Sequence, residues 1–192
     1  LIDYYTYCLC GDGDLMEGIS YEALSFASAQ NLNKLILLYD KNNVSLDSDT
    51  KKTFTEDIEI RFEALDFNII NVKNGSDYKE ISKAIKSAKK SDRPSIIICN
   101  TVIGKDSKLE GTNVVHGKPL DNEDLMNIKS KYKMTTEPFE IKKEVLDYLQ
   151  NYINKRVSKK YLEWQEEYTN IKEENSNLHM LVNLLERNAF VI

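Results

Sequence analysis

The chain has 192 residues, of which 41% are hydrophobic, and its formal net charge at pH 7 is −5. This length suits one domain with an appendage. The acidic balance predicts no binding to nucleic acid or to an anionic membrane surface. No apolar run approaches the length of a membrane span, and the first residues lack the basic region of a signal peptide.

Apolar runs alternate with helix-like patterns over the first two thirds of the sequence. The predicted strands cover residues 4–10, 35–39, 67–72 and 95–100, and the predicted helices cover 17–30, 56–65, 78–90 and 123–131. Ser76 or Asp77 is expected to cap the third helix, and Asp121 the fourth. This alternation predicts an α/β fold with a parallel sheet and flanking helices.

Beyond residue 133 the strand pattern stops. Residues 134–139 read as a linker, and the remainder predicts a C-terminal helical extension. Three amphipathic helices are indicated by Ile141, Val145, Tyr148, Leu149 and Tyr152, then by Tyr161, Trp164, Tyr168 and Ile171, and finally by Leu178, Leu181 and Leu185. We expect two parts, 1–133 for an α/β domain and 134–192 for a helical linker. His179, in the last part, receives no role.

The cysteines lie in strand-like apolar runs. Cys8 and Cys10 share one face of a strand, which disfavours a disulfide between them, and Cys99 stands in a later strand. We expect buried, reduced thiols and a cytoplasmic protein.

Two loops at the carboxyl ends of predicted strands carry oxygen ligands. Asp12 follows the first strand, between Gly11 and Gly13, and Asn42 follows the second. A right-handed crossover places both loops at one edge of the sheet, where ligand crevices of open α/β sheets lie. Mg²⁺ prefers such hard oxygens, and the carbonyl near Val44 is a third candidate.

The glycines point to a phosphate beside that metal. Gly11 and Gly13 allow the backbone to approach a phosphate, and a helix beginning near Glu17 would direct free N–H groups towards it. The residues therefore indicate a metal–diphosphate site. The alternative is an ordinary strand-to-helix turn.

Two other motifs do not fit these loops. An EF-hand counted from Asp12 would need Gly at its sixth place, where Glu17 stands. A dinucleotide fingerprint would need a third glycine where Met16 stands. Both interpretations are excluded.

The same stretches resemble the transketolases, members of the thiamine-diphosphate enzyme superfamily, whose signature is Gly-Asp-Gly followed at this spacing by Asn. Sister families, such as deoxyxylulose-phosphate synthase and pyruvate dehydrogenase, resemble only that core. The resemblance spans roughly residues 4–140. It is carried by Gly11-Asp12-Gly13 with Met16-Glu17-Gly18-Ile19-Ser20 and Glu22-Ala23, by Arg61-Phe62-Glu63-Ala64, by Thr101-Val102-Ile103-Gly104, and by Val115-His116-Gly117 with Pro119-Leu120.

The resemblance implies a partial thiamine-diphosphate-binding fold and a function. The family transfers a two-carbon ketol unit from a ketose phosphate to an aldose phosphate in the pentose phosphate pathway, as a homodimer. By resemblance, Asp12, Asn42 and the Val44 carbonyl bind Mg²⁺ or Ca²⁺, and Gly13 lies beside the diphosphate of thiamine diphosphate. Leu46 would pack against the thiazolium ring.

Two further residues receive roles from the resemblance alone. His116 would contact both the cofactor diphosphate and the sugar substrate, which makes it the catalytic candidate. Glu17 would lie at the dimer interface and link two active sites. On chemistry alone, a loop histidine such as His116 is an ordinary surface residue, Leu46 an ordinary core residue, and Glu17 a favourable helix-dipole residue.

The chain also departs from the family pattern. Asn113 stands where the family usually has a histidine, and Asp106 replaces the second glycine of the common Ile-Gly-x-Gly-Ser. We therefore expect a different detailed shape for this loop.

The sequence opens inside a strand and without Met, so we expect a fragment of the diphosphate-binding domain. Its site would be completed by further domains and a second subunit, with no turnover by this chain alone. The alternatives are a natural split subunit and a non-catalytic metal-diphosphate-binding module.

Overall fold

The computed structural model describes residues 3–174 together with 177, 180, 183 and 184. The chain divides into two compact units, one up to Tyr132 and one from Lys133 onwards. The assignment of 1–133 and 134–192 to a diphosphate-binding portion and a linker stays a prediction.

The first unit is built on a parallel sheet, which has four strands in the described part of the chain. They are β1 (Thr6–Gly11), β2 (Leu35–Lys41), β3 (Asn68–Val72) and β4 (Ser95–Asn100), in the order β1-β2-β4-β3. The two central strands, β2 and β4, are apolar along most of their length because both of their faces are covered. The predicted α/β fold with a parallel sheet is confirmed.

Helices flank this sheet. They are α1 (Asp12–Met16), α2 (Gly18–Ala29), α3 (Ile58–Ala64), α4 (Tyr78–Ala88) and α5 (Asn122–Lys131). Side chains satisfy the free N–H groups at three helix starts, at Asp57 for α3, Asp77 for α4 and Asp121 for α5. Of the two predicted caps for α4, Asp77 is therefore the one that acts.

The helix predicted at 17–30 is α2, Gly18–Ala29, and an unpredicted short helix, α1, precedes it. α1 begins directly at Asp12, and Glu17, with ψ 137°, breaks the backbone before α2 starts. Asp14 closes the first turn of α1, because its carboxylate accepts the Gly11 N–H at 2.8 Å. The Ser20 hydroxyl donates to the Asp14 carbonyl at 2.6 Å and joins the two helices. Asp12 thus lies in a helical turn rather than in an open loop.

Two apolar clusters make the core. One contains Tyr39, Phe62 and Phe67, with the two phenylalanine rings edge to face at 5.1 Å between centroids. The other packs Ile36, Val72 and Ile97 against Ala84 and Ala88 of α4. Along β4, Ile96 and Ile98 enter the first cluster while Ile97 and Cys99 enter the second. This alternation is the period of two that a strand imposes.

The cysteine prediction is right for two residues and wrong for one. Cys10 and Cys99 are buried and unbridged, and burial raises the pKa of the Cys10 thiol to about 12. Cys8 is exposed. Cys8 and Cys10 both lie on β1, an edge strand of the described sheet, but only Cys10 belongs to the core cluster with Leu15 and Leu24 that covers it.

The second unit is helical. α6 (Lys143–Tyr152) passes through a π-helical turn (Ile153–Val157) into α7 (Ser158–Glu174). On α7, the Trp164 ring stacks with those of Tyr161 and Tyr168, at centroid distances of 6.2 and 5.2 Å. The two helices predicted for this stretch are confirmed. The third, with Leu178, Leu181 and Leu185, and also His179, lies outside the described residues. Among the described helices, none has the length and apolarity needed to cross a membrane.

Candidate functional site

Asp12 is buried at the carboxyl edge of the sheet, with 4% of its surface exposed. Its Oδ1 accepts the Tyr39 hydroxyl at 2.6 Å. Its Oδ2 accepts the backbone N–H groups of Asn42 and Asn43 at 3.2 and 2.9 Å. All three partners donate, so the position is shaped for a side chain that only accepts.

The loop after β2 folds around that carboxylate. β1 pairs with β2 so that Gly11 lies beside Asp40, which brings the next turns of both strands together. The Asn42 Oδ1 accepts the N–H of Val44 at 3.0 Å, a tight turn that fixes the amide. The Thr50 N–H closes the loop on the Asn43 carbonyl at 3.1 Å. The structure thus places Asp12 beside the turn that contains Asn42 and Val44.

Tyr39 belongs to this site although its sequence position suggested only a strand end. It is 1% exposed. Burial, followed by the hydrogen bond to Asp12, raises the pKa of the phenol well above its usual range, so the hydroxyl remains a donor. A signal was present, because Tyr39 pairs with Cys10 across the β1–β2 ladder, two residues before Asp12. The proximity of Tyr39 to Asp12 can be recognised only when the register of β1 and β2 is known.

Gly13 and Glu17 lie on the exposed side of α1 and of the junction after it. A Cβ built on Gly13 would meet nothing within 4 Å, so the space in front of this residue is open to a ligand. The helix expected near Glu17 is α2, which begins at Gly18, and the expectation that its N–H groups face a phosphate stays a prediction. The other helix, α1, begins at Asp12, and its first turn carries the carboxylates of Asp12 and Asp14, which disfavour an anion at that end.

The loop after β4 approaches from the other side. A Cβ placed on Gly117 would lie 3.9 Å from the Cδ1 of Leu46, so the loops that follow β2 and β4 meet. Leu46 is 64% exposed and is no core residue. His116, beside Gly117, is half-buried, and its Nδ1 is buried without a hydrogen-bond partner among the described residues. Such an orphaned nitrogen is suited to a polar ligand.

Glycine is required where this second loop turns. Gly104 has φ +58°, and a Cβ there would lie 2.6 Å from the Cγ2 of Val115, next to His116. The missing side chain therefore lets Val115 pack against the start of the loop.

The loop is also tied to α5. Asp106, with φ +70°, bonds Lys131 and Tyr132 through its carboxylate, and these bonds lower its pKa. The aspartate that replaces the family's glycine thus adds side-chain contacts that a glycine cannot make.

Arg61, in α3, contacts both α1 and α2. Its Nη1 donates to the Leu15 carbonyl in α1 at 3.0 Å and to Glu56 at 2.5 Å. Its guanidinium lies 3.8 Å from the ring centroid of Tyr21 in α2. The side chain is only 9% exposed. We call this group, Arg61 with Leu15, Tyr21 and Glu56, the arginine clamp.

The residues present fit a hard cation better than a soft one. Among the described residues, no group of three or more His, Cys, Asp or Glu side chains is placed to hold a metal. The candidate donors are instead one carboxylate, one amide oxygen and one backbone carbonyl. That set suits Mg²⁺ or Ca²⁺ if phosphate and water supply the remaining ligands.

Comparison with known proteins identifies the family of this domain. The family described as "Transketolase, thiamine diphosphate binding domain" matches residues 1–188. The fold and its carboxyl edge thus define an α/β domain of the thiamine-diphosphate-binding class.

Individual relatives narrow the class of domain to one family. A probable transketolase of Streptococcus pneumoniae is 41% identical over 179 residues, 93% of this chain and 27% of that protein. The transketolase structure from Leishmania mexicana superposes with a TM-score of 0.84 at 38% identity, over 91% of this chain and 26% of its own. A transketolase from Pichia stipitis, in complex with sedoheptulose-7-phosphate, gives 0.85 at 35% identity over 92% and 26%. The chain belongs to the transketolase family, and it spans about a quarter of the length of the relatives it matches.

Proposed function

We propose that this chain supplies the metal–diphosphate site of a transketolase. The whole protein would transfer a two-carbon ketol unit from a ketose phosphate to an aldose phosphate. The observation that carries the proposal is the buried Asp12 carboxylate, held beside the Asn42 loop at the carboxyl edge of a parallel sheet.

In this proposal Asp12, Asn42 and the Val44 carbonyl hold Mg²⁺ or Ca²⁺ against the diphosphate. Gly13 contributes open space for that group. Leu46 offers an exposed apolar side chain, as the thiazolium ring requires. Thiamine diphosphate, when bound, supplies the carbon centre and the electron sink for ketol transfer, and the protein binds and orients it.

His116 is proposed to face the ligand from the second loop. Its orphaned Nδ1 supports this role, since a diphosphate or sugar oxygen would give that nitrogen its missing partner. Glu17 is proposed to meet a second subunit, and its exposure at the α1–α2 junction leaves it free to do so.

Partners and surroundings follow from the same proposal. Because the chain spans about a quarter of its relatives, we infer that further domains and a second subunit complete the active site. Sugar phosphates are the proposed substrates, supported by the sugar phosphate bound to the Pichia stipitis transketolase. The cytoplasm is the proposed compartment, supported by three unbridged cysteines.

The test uses the complete gene product that carries this sequence and isothermal titration with thiamine diphosphate, with and without Mg²⁺. Asp12→Asn keeps the shape of the side chain, because its oxygen can face the two backbone N–H groups and its NH₂ can face the Tyr39 oxygen. We expect this variant to fold but to bind the cofactor about 100-fold more weakly, since loss of a ligand exceeds the loss of an outer-shell partner.

Asp92→Asn is the matched control, because its carboxylate is 95% exposed before β4, at the opposite edge of the sheet. A coupled assay with a ketose and an aldose phosphate should show turnover by the complete protein and none by the 192-residue chain. Equal binding by Asp12→Asn and Asp92→Asn would contradict the proposed site. Turnover by the isolated chain would contradict its dependence on other domains.

A further inference from the structure

The Asp12 carboxylate has one side-chain partner among the described residues, and that partner is Tyr39. The phenol donates to Oδ1 at 2.6 Å, while the two backbone N–H groups hold only Oδ2. The orientation of the carboxylate about its Cβ–Cγ bond is therefore restrained by the backbone at Oδ2 and by one side-chain hydroxyl at Oδ1.

The space beside Asp12 would allow its carboxylate to change orientation. A cavity of about 310 Å³ lies against Asp12 and Tyr39, bounded also by Lys41 and residues 54–59. If the Tyr39 hydroxyl were absent, Oδ1 would have no partner, and only the two backbone N–H groups at Oδ2 would oppose a turn of the carboxylate. The cavity is lined by Lys41, which would attract Oδ1. It is also lined by the carboxylates of Glu56, Asp57 and Glu59, which would repel Oδ1, so the carboxylate would shift from its present orientation.

We propose that Tyr39 is a positioning residue for the metal ligand Asp12, and that its hydroxyl sets the affinity for the divalent ion. Tyr39 would not touch the ion. It would hold Oδ1 so that the remaining lone pairs of the carboxylate face the Asn42–Val44 turn. Outer-shell donors of this kind typically govern metal affinity by about 10- to 100-fold. The inference rests on the proposed metal–diphosphate function.

The packing explains why a tyrosine can do this reliably. Its ring belongs to the core cluster that also contains Cys10, Leu37 and Ile98, so the hydroxyl is presented by a rigid element. Rigid support of a ligand from the sheet is what fixed metal geometry needs.

The test is Tyr39→Phe in the complete gene product, which removes one oxygen and keeps the ring. Mn²⁺ serves as the probe, and its free concentration is read by electron paramagnetic resonance during titration in the presence of thiamine diphosphate. We expect the Mn²⁺ dissociation constant to rise by about 10-fold or more.

Tyr5→Phe is the matched control. Its hydroxyl also makes a hydrogen bond, to the Lys89 carbonyl at 2.8 Å, before the start of β1 and far along the strand from Asp12. Thermal unfolding of the metal-free proteins is recorded beside the titration. A purely structural role would lower the unfolding temperature of both variants and leave the affinity of the folded protein for Mn²⁺ unchanged.

The outcomes separate the two proposals. Wild-type protein that binds no Mn²⁺ with the cofactor would overturn the proposed function. Wild-type binding that Tyr39→Phe reproduces within about twofold, well below the 10-fold expected of an outer-shell donor, would overturn the positioning role and leave the function standing.

A second substitution covers the case in which Tyr39→Phe does not fold. Tyr39→Met then takes its place, because methionine also lacks the hydroxyl and its flexible chain fills the core without adding an unsatisfied polar nitrogen. A Mn²⁺ dissociation constant that rises more than about twofold above that of the wild type supports the role, and a smaller change refutes it.

Discussion

The arginine clamp gives the sharpest test of how the site is supported. Arg61→Ala removes a charged hydrogen bond to the Leu15 carbonyl, worth about 1.5–3 kcal/mol. It also removes the stacking on Tyr21, worth about 0.5–2 kcal/mol. The pair with Glu56 adds little, about 0–1 kcal/mol, because the carboxylate is 32% exposed.

An opposing effect reduces this total. Nε and Nη2 of Arg61 are buried without partners among the described residues, and each unsatisfied donor costs about 1–3 kcal/mol. Arg61→Ala and Arg61→Met both remove the bonds and these two donors, but methionine keeps an apolar chain of similar length, whereas alanine also leaves a cavity. We therefore expect Arg61→Ala to lower the free energy of unfolding by about 3 kcal/mol and Arg61→Met by about 1 kcal/mol.

The assay is urea unfolding of the 192-residue chain, followed by far-ultraviolet circular dichroism. Arg93→Ala is the control, since Arg93 is 44% exposed and pairs with the exposed Asp66, and it should change stability by less than about 0.5 kcal/mol. If Arg61→Ala costs no more than Arg93→Ala, the clamp does not stabilise this unit. If Arg61→Met costs as much as Arg61→Ala, packing of the apolar part of this side chain does not contribute to stability.

Two further predictions concern a thiol and a carboxylate. In the native chain at neutral pH, a thiol reagent should modify the exposed Cys8 quickly and the buried Cys10 and Cys99 slowly. Cys8→Ser should therefore abolish the fast phase of the reaction, whereas the control Cys99→Ser should preserve it. A fast phase that survives Cys8→Ser would contradict the exposure of that residue. Asp106 has a pKa held below its ordinary value by its bonds to Lys131 and Tyr132, so its stabilising effect is present above pH 3.8 and is lost as the pH falls through the lower, folded-state pKa. The difference in unfolding temperature between wild type and Asp106→Asn should therefore shrink below pH 3.8, whereas a difference that stays constant with pH would refute the linkage.

Local chemistry made part of this structure predictable. The strand predicted at residues 95–100 is β4 with the same bounds, because a short apolar run after Pro94 suits a fully covered strand. The caps at Asp77 and Asp121 were also readable, since an acid before an amphipathic run accepts the free N–H groups of the first turn. The short helix α1 was not predicted, because its five residues, Asp12–Met16, are too few to show the apolar period of a helix.

Residue types and their spacing were enough to establish which chemistry is available: an aspartate and an asparagine after successive strands, a histidine in a glycine-rich loop, and the alternation that requires a parallel sheet. Which groups meet became known only from the folded chain. Tyr39 reaches Asp12, and Arg61 reaches Leu15, through contacts that span 27 and 46 residues. The physical reason is that strand periods and helix caps act over a few residues, whereas strand register and helix packing choose the partners of a buried polar group.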